Sequence, residues 1–299
     1  MRILSKAVLV LMLVFGGVSC KSDIRPGMDE ETTVTGKKNL PVDETVFPVT
    51  EEWIEAFESS YPNAFLFSQP EPESVVFEEL LRDSSRLAIT TRPFNAKERS
   101  FLEGKKFILE EILLAKDAMC FLLNPNSTDT AFTAEQLKNI ISGQDTSFAV
   151  VFERSGNSCL RFLQDSLLGG APIGGNCFAA ANADSVFNYV NRNERAIGVV
   201  AYNTISYKHR TICKERRVKI KLAYVGSTPD KMYRPNQSSI FAGQYPLTRC
   251  IWLLKVGKAA GLGTGFASFI MSDRGQLIVQ KAGLAPAKPA ERQVEININ

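Results

Sequence analysis

The sequence predicts an α/β protein with helices packed on sheets, and it has enough chain for two lobes. Short apolar runs of strand length alternate with segments of helical period along most of the chain, which argues layered α/β structure. Its 299 residues are 44% hydrophobic and 22% charged, an ordinary globular composition. After a leader and a polar tether, roughly 260 residues remain, enough for one large domain or two lobes with separate cores.

The elements follow in order. Trp53, Ile54 and Phe57 sit at helical spacing in TEEWIEAFESS, and Ala64-Phe-Leu-Phe67 reads as a strand. Val75, Val76, Leu80 and Leu81 predict a helix, Leu87 to Thr90 a short strand, and Ala96 to Leu114 one long helix. Ala118 to Leu123 is a buried strand stopped by Asn124-Pro125. Thr133 and Gln136 form a capping box, and the helix it opens buries Leu137, Ile140 and Ile141 before Gly143 ends it. Phe148 to Phe152 reads as a strand, Leu160 to Leu168 and Ser185 to Val190 as helices, and Ala196 to Ala201 as a strand. Asp273 and Gln276 fit an N-cap pair opening a last helix through Val279 to Gly283.

The leader sets the expected compartment. Arg2 and Lys6 give a positive start, and residues 7–18 form an apolar run too short to span a bilayer comfortably. It ends in Gly16, Gly17, Val18, Ser19 and Cys20, which resembles a bacterial lipobox with Gly17 where Leu is usual. That resemblance implies a signal peptide over residues 1–19 and lipidation of Cys20, which holds the mature protein to a membrane, facing the periplasm or exterior. Residues 20–39 are then the anchor and a flexible polar tether, and the fold begins near Leu40.

Charge and cysteine usage exclude several classes. The formal charge is +3, and about +1 once Arg2 and Lys6 leave with the leader, so no nucleic-acid partner is expected. Cys120, Cys159, Cys177, Cys213 and Cys250 show no CxxC pairing, and His209 is the one histidine, so no metal site and no cofactor are expected. The five thiols read mostly as buried small hydrophobes. The basic run from His209 to Lys221 reads as a solvated strand or hairpin face, because Val218, Ile220 and Leu222 alternate. Tyr233, Tyr245 and Trp252 read as core or cleft-wall residues.

Five segments carry a family resemblance, in one order. RLAITTRPFNAKE (86–98) is a strand and turn with small hydroxyls before Arg and Pro. DAMCFLLNPNSTDTAFTAEQLKNIISGQ (117–144) is a strand, Asn-Pro, and a T-x-x-Q-L helix. VVFERSGNSCLRFL (150–163) holds a Ser-Gly-Asn loop, and RAIGVVAYN (195–203) an Ala-Ile-Gly strand. YPLTR (245–249) and GFASFIMSDRGQLIVQKAGLAP (265–286) form a return crossing and terminal helices. Together these resemble the phosphate-binding proteins of bacterial phosphate ABC transporters, of the type II periplasmic binding protein superfamily. The resemblance implies a two-lobed fold, each lobe a mostly parallel sheet flanked by helices, joined by two crossing segments. Residues 40–120 and 246–299 would form one lobe and 121–245 the other. It implies a monomeric binding protein, not an enzyme, that captures phosphate or a related small oxyanion for an ABC permease.

Three departures stand out. The matching first loop, Val42 to Pro48, has no Gly and carries Asp43 and Glu44. Asn157 stands where the family's third loop has Thr, and the family Arg before that loop falls near Phe152 to Arg154 without a clean match.

A tetrahedral oxyanion needs many donors, and helix N-termini supply free amides and a positive dipole end. Three strand-to-helix turns place such groups: Thr45, then Thr91 and Arg92, then Ser155, Gly156, Asn157 and Ser158. Arg92 and Arg161 each offer a guanidinium fork. Asp43 or Glu44 would accept a hydrogen bond from a protonated oxyanion and repel a fully ionised one, a route to taking phosphate over sulfate. Each residue also has a plain reading: Thr, Ser and Asn as ordinary N-caps, Arg92 as a turn residue, Asp43 and Glu44 as complements to a helix dipole.

Two further classes compete. One is an envelope lipoprotein using the same fold for sensing, scaffolding or another small ligand. The other is a hydrolase, which the lone His209 and the missing metal-ligand cluster disfavour.

Overall fold

The computed structural model describes residues 31–154, 156–258 and 260–288, so the leader expectations, Cys20 and Ser155 lie outside the described residues. The folded chain opens with β1 (Gly36–Asp43), whose burial alternates over its first half and is complete over its second. The strand therefore starts ahead of the expected Leu40. A 3-10 turn (Glu44–Val46) leads to α1 (Phe47–Ser60), with Pro48 in the first turn where its missing N–H costs nothing. The chain then runs β2 (Ala64–Glu71), α2 (Glu73–Leu81), β3 (Leu87–Thr90), α3 (Ala96–Gly104) and the long β4 (Leu109–Leu123).

Beyond β4 come β5 (Ala131–Thr133), α4 (Ala134–Ile141), β6 (Ala149–Glu153), α5 (Ser158–Ser166), β7 (Cys177–Ala180), α6 (Ala183–Arg192) and β8 (Ala196–Ala201). Short elements follow: α7 (Asn203–Ser206), α8 (Thr211–Val218), β9 (Lys221–Leu222), β10 (Tyr224–Gly226), β11 (Met232–Tyr233) and α9 (Gln237–Phe241). The return consists of β12 (Thr248–Val256), α10 (Leu262–Met271), α11 (Asp273–Lys281) and β13 (Ala285–Pro286).

One sheet runs through the molecule in the order β2-β1-β3-β12-β4-β8-β6-β7, with β13 and β9 attached to β4. Its ends are parallel: β1 with β2 and β3, and β6 with β7 and β8. Its middle is antiparallel and turns on β4. That strand pairs with β12 from Leu109 to Ala118 and with β8 from Met119 to Leu123. Met119 N–H meets the Leu247 carbonyl just where β12 begins. The partner exchange on β4 thus coincides with the return of the chain into β12.

Helices cover both faces of each half. In the first half, α1 and α10 bury Trp53, Phe57 and Phe266 against Leu40, Val42 and Leu253. The opposite face takes Val76, Phe77 and Leu80 of α2, with Leu102 of α3, against Ala88 and Leu254. In the second half, Leu137 and Ile140 of α4 and Leu163 of α5 pack on Phe121, Val150 and Val199. Val186, Phe187 and Val190 of α6 close the far face over Leu122, Val151 and Val200. Each such side chain contributes about 1.5–3 kcal/mol when fully buried. Burial follows the 3.6-residue stripe on the helices, while β3, β8 and the second half of β4 are buried throughout, successive residues entering opposite cores.

Several expectations need correction. The helix begun at Ala96 does not reach Leu114: it ends at Gly104, Lys106 takes a left-handed φ of 64°, and Leu109 already belongs to β4. The apolar residues after Phe107 serve strand pairing with β12, not a helix stripe. The basic run is not a hairpin face, because Thr211 to Val218 form α8, which buries Cys213. The last helix is capped by Ser272, whose Oγ accepts the Gly275 N–H, and Gln276 instead gives its amide to the Leu114 and Ile270 carbonyls. α5 begins at Ser158, two residues before the expected Leu160. The capping box at Thr133 and Gln136 is formed as expected. Tyr245 is a core residue, and its hydroxyl donates to the Met119 carbonyl at 2.6 Å.

Candidate functional site

The C-terminal end of β1, the loop after β3 and the start of α5 converge beside β12. Parallel pairing of β1 with β2 and β3 puts Asp43 and Thr91 at the same sheet edge. At the end of β1, Asp43 is fully buried and caps the 3-10 turn, accepting the Thr45 N–H at 2.9 Å. Thr45 Oγ1 donates to the same carboxylate at 2.7 Å. From the start of α5, Ser158 Oγ lies 2.8 Å from Thr45 Oγ1.

Arg249 of β12 joins both hydroxyls. Its Nη2 donates to Thr45 Oγ1 at 2.8 Å and its Nη1 to Ser158 Oγ at 3.0 Å. Its other side faces Asp117 of β4, at 3.1 Å from Nε and 3.0 Å from Nη2. Because the single Thr45 proton goes to Asp43, Ser158 is the donor in the hydroxyl pair. Asp117 also accepts the Asn203 N–H at 3.0 Å, while Asn203 Nδ2 reaches the Thr45 carbonyl at 3.3 Å. Burial pushes the Asp117 carboxyl up, and the facing Arg249 opposes that.

A second cluster adjoins the first through Thr91. Thr91 Oγ1 lies 3.2 Å from Asp43 Oδ2 and 2.9 Å from Glu73 Oε2. Glu73 opens α2, and only 4% of it is exposed. It accepts Arg92 Nε at 2.8 Å and Arg161 Nη2 at 3.0 Å, and Arg161 Nε lies 2.7 Å from its other oxygen. Arg161 Nη2 also donates to Thr91 at 3.2 Å, and its Nη1 meets Asp165 at 3.0 Å.

The residues expected at the site divide accordingly. Asp43, Thr45, Thr91, Ser158 and Arg161 come together. Arg92 joins the cluster through Glu73, but its donors are committed: Glu98 takes both terminal nitrogens, Glu73 takes Nε, and the guanidinium stacks 3.5 Å above the Phe77 ring. Asn157 N-caps α5 by accepting the Leu160 N–H, and its amide goes to the Glu153 carbonyl. Gly156 takes a φ of 81° with open space where a Cβ would stand, which permits close approach of the backbone. The Glu44 side chain lies on the seam facing Glu153 and Arg154, with 3.6 Å to the Arg154 guanidinium. Burial first, then the Glu153 charge, pushes its carboxyl to about 7.

Three residues of the site were not foreseen: Glu73, Asp117 and Arg249. Asp117 and Arg249 each interrupt a largely apolar strand, a pattern that signals a buried ion pair. Arg249 supplies a guanidinium at the start of α5, through Ser158. Among the described residues, no cluster of His, Cys, Asp and Glu is arranged to hold a metal ion, and the five cysteines are free.

The comparisons agree on one fold. A family model described as a PBP superfamily domain matches residues 28–274. The phosphate-binding protein PstS of Staphylococcus saprophyticus is 23% identical over 250 residues, covering 78% of this chain and 75% of that one. A Clostridium perfringens protein assigned to phosphate ABC transport as its substrate-binding protein, solved with phosphate bound, has a TM-score of 0.69 at 20% identity, over 85% of this chain and all of that chain. An ABC-type phosphate transport receptor from Vibrio cholerae has a TM-score of 0.67 at 17% identity, over 84% and 100%. The shared architecture is the two-lobed type II periplasmic binding protein fold.

Proposed function

The chain belongs to the PBP superfamily, and from that premise we propose that it is a solute-binding protein that captures phosphate or a related oxyanion between two lobes for an ABC permease. The proposed lobes meet where β4 exchanges β12 for β8, between Ala118 and Met119, and where β12 begins after Leu247. Residues 36–118 and 248–288 then form one lobe and 119–247 the other. Cys20 is proposed as the lipid anchor, on the strength of the leader alone.

One observation carries the ligand assignment. Hydroxyls from elements of opposite lobes, Thr45 and Ser158, meet at 2.8 Å with a buried guanidinium joined to both. Hydroxyls and guanidinium groups gathered beside a helix start suit a tetrahedral oxyanion once Thr45 and Ser158 turn their protons from Asp43 and from each other to ligand. Arg161, with 28% of its side chain exposed, is the guanidinium that an incoming anion meets; Arg249, at 1%, is reached only through the hydroxyls. Asp43 adds an acceptor, which favours an oxyanion carrying a proton over one that carries none. Binding uses groups of both lobes, so ligand stabilises the closed form by its differential affinity. No bond is made or broken in this account, so the protein acts as a binder and not as an enzyme.

A second reading has its own support. Asp43 and Glu73 already satisfy Thr45, Thr91 and Arg161. A site so complete also suits an envelope lipoprotein that keeps the fold for sensing or scaffolding. A thermal-shift panel of phosphate, sulfate, molybdate and citrate separates the two. A shift with an oxyanion supports capture, and no shift with any of them overturns it.

A further inference from the structure

The inference rests on the capture reading and concerns what an anion must do to enter. Glu73 is an almost fully buried carboxylate held by three donors of different origin. Thr91 gives it a hydroxyl at 2.9 Å, Arg92 a guanidinium N–H at 2.8 Å, and Arg161 of α5 a second guanidinium at 3.0 Å. Of these, the Thr91 hydroxyl and the Arg161 guanidinium make a donor pair suited to a small oxyanion. A carboxylate and the unprotonated oxygens of a phosphate compete for such donors on equal chemical terms, since both are acceptors with delocalised charge.

We propose that Glu73 is a built-in competitor for the anion site: the incoming oxyanion takes Arg161 and Thr91 by displacing the Glu73 carboxylate, and Glu73 thereby sets affinity and specificity. Geometry makes the displacement feasible. Arg92 keeps a bidentate partner in Glu98, at 2.7 and 2.8 Å, so Glu73 retains Arg92 as a partner when Arg161 turns to ligand. Arg161 sits at the solvent end of the cluster, with Asp165 at 3.0 Å as its outer partner. A ligand that satisfies fewer donors than Glu73 does not dislodge it, so weakly accepting anions are rejected. The contact also joins elements of the two proposed lobes, so the competitor holds them together until ligand replaces it.

The test is calorimetric titration of the wild-type chain, Glu73→Gln and Glu98→Gln with inorganic phosphate. Glutamine preserves the shape of each side chain, and at position 98 it preserves the capping box with Asn95. Glu73→Gln is expected to bind phosphate about tenfold or more tightly than wild type, because the charge-assisted bonds that phosphate must break are weakened. Glu98→Gln removes the same charge from the same region without touching Arg161, and is expected to gain less than about threefold. If Glu73→Gln does not fold, Glu73→Asp, which keeps the charge but shortens the reach to Arg161, is expected to gain in the same direction. A wild type that binds phosphate while Glu73→Gln binds equally or more weakly overturns the competitor and leaves the capture reading standing. Equal gains in both variants overturn it in favour of a general charge effect. Absence of binding in wild type and variant alike, at millimolar phosphate, overturns both readings.

Discussion

The hydroxyls of Thr45 and Ser158 lie 113 positions apart in the chain and 2.8 Å apart in the fold, and Arg249 donates to both. Arg249 is fixed in turn by Asp117, with side-chain exposures of 1% and 0% for the pair. The geometry at the seam therefore depends on an ion pair between two central strands. Removing one partner of a buried pair leaves an uncompensated charge, so Asp117→Ala is expected to lose about 3–5 kcal/mol of stability. Arg82→Ala, which breaks an exposed pair with Glu78, is expected to lose less than about 1 kcal/mol. Urea denaturation of the two variants side by side checks the contrast.

The pH dependence follows from Glu44. Its folded-state carboxyl titrates at about 7 against an ordinary 4.5, because burial and the Glu153 charge disfavour ionisation. A group whose pKa rises on folding binds more protons in the native state, so stability falls as pH rises through that window. The contribution is fully present below pH 4.5 and lost above about 7. Glu44→Gln is expected to flatten the melting-temperature profile between those two values. Parallel profiles for variant and wild type would contradict the assignment.

Gly198 tests how α6 sits on the second half of the sheet. A Cβ there would stand 2.7 Å from a Val190 methyl and 2.8 Å from a Val186 methyl, with Leu122 Cβ at 3.3 Å. β-branched side chains have little rotamer freedom to yield. Gly198→Ala is accordingly expected to cost about 1–3 kcal/mol by overpacking, measured by thermal or chemical unfolding.

The anchor is tested at Cys20. Cys20→Ser is expected to release the protein from the membrane fraction or leave its precursor uncleaved. Normal processing with unchanged membrane retention would refute lipidation there.

How far the sequence could be read depended on the range of the interactions. Trp53, Phe57 and the Thr133 box are local patterns, and their helices are where the spacing places them. The stretch after Phe107 was misread because Leu109, Ile112, Leu113 and Leu114 satisfy helical spacing as well as they satisfy a buried strand. What decides the matter is β12, more than a hundred residues away, whose edge pairs with β4 from Leu109 to Ala118. That Thr45, Thr91, Ser158 and Arg161 come together is readable because each sits at or just after a strand-to-helix turn with a recognisable motif. Glu73 is not, because it looks like any acidic residue in the first turn of a helix. Its meaning comes only from Arg161, 88 positions on. Arg92 shows the opposite limit: its motif is clear in the sequence, but its partners Glu98 and Phe77 are not.

The most direct test of oxyanion capture is calorimetry with inorganic phosphate on wild type, Arg161→Ala and Arg92→Ala. Charge-assisted hydrogen bonds contribute about 1.5–3 kcal/mol each, and 1.4 kcal/mol is tenfold in affinity. The account predicts phosphate binding by wild type, a loss of about one to two decades in Arg161→Ala, and a change below about threefold in Arg92→Ala. Wild type that binds no phosphate at millimolar concentration, or an Arg161→Ala variant that binds it as tightly as wild type, would contradict the account.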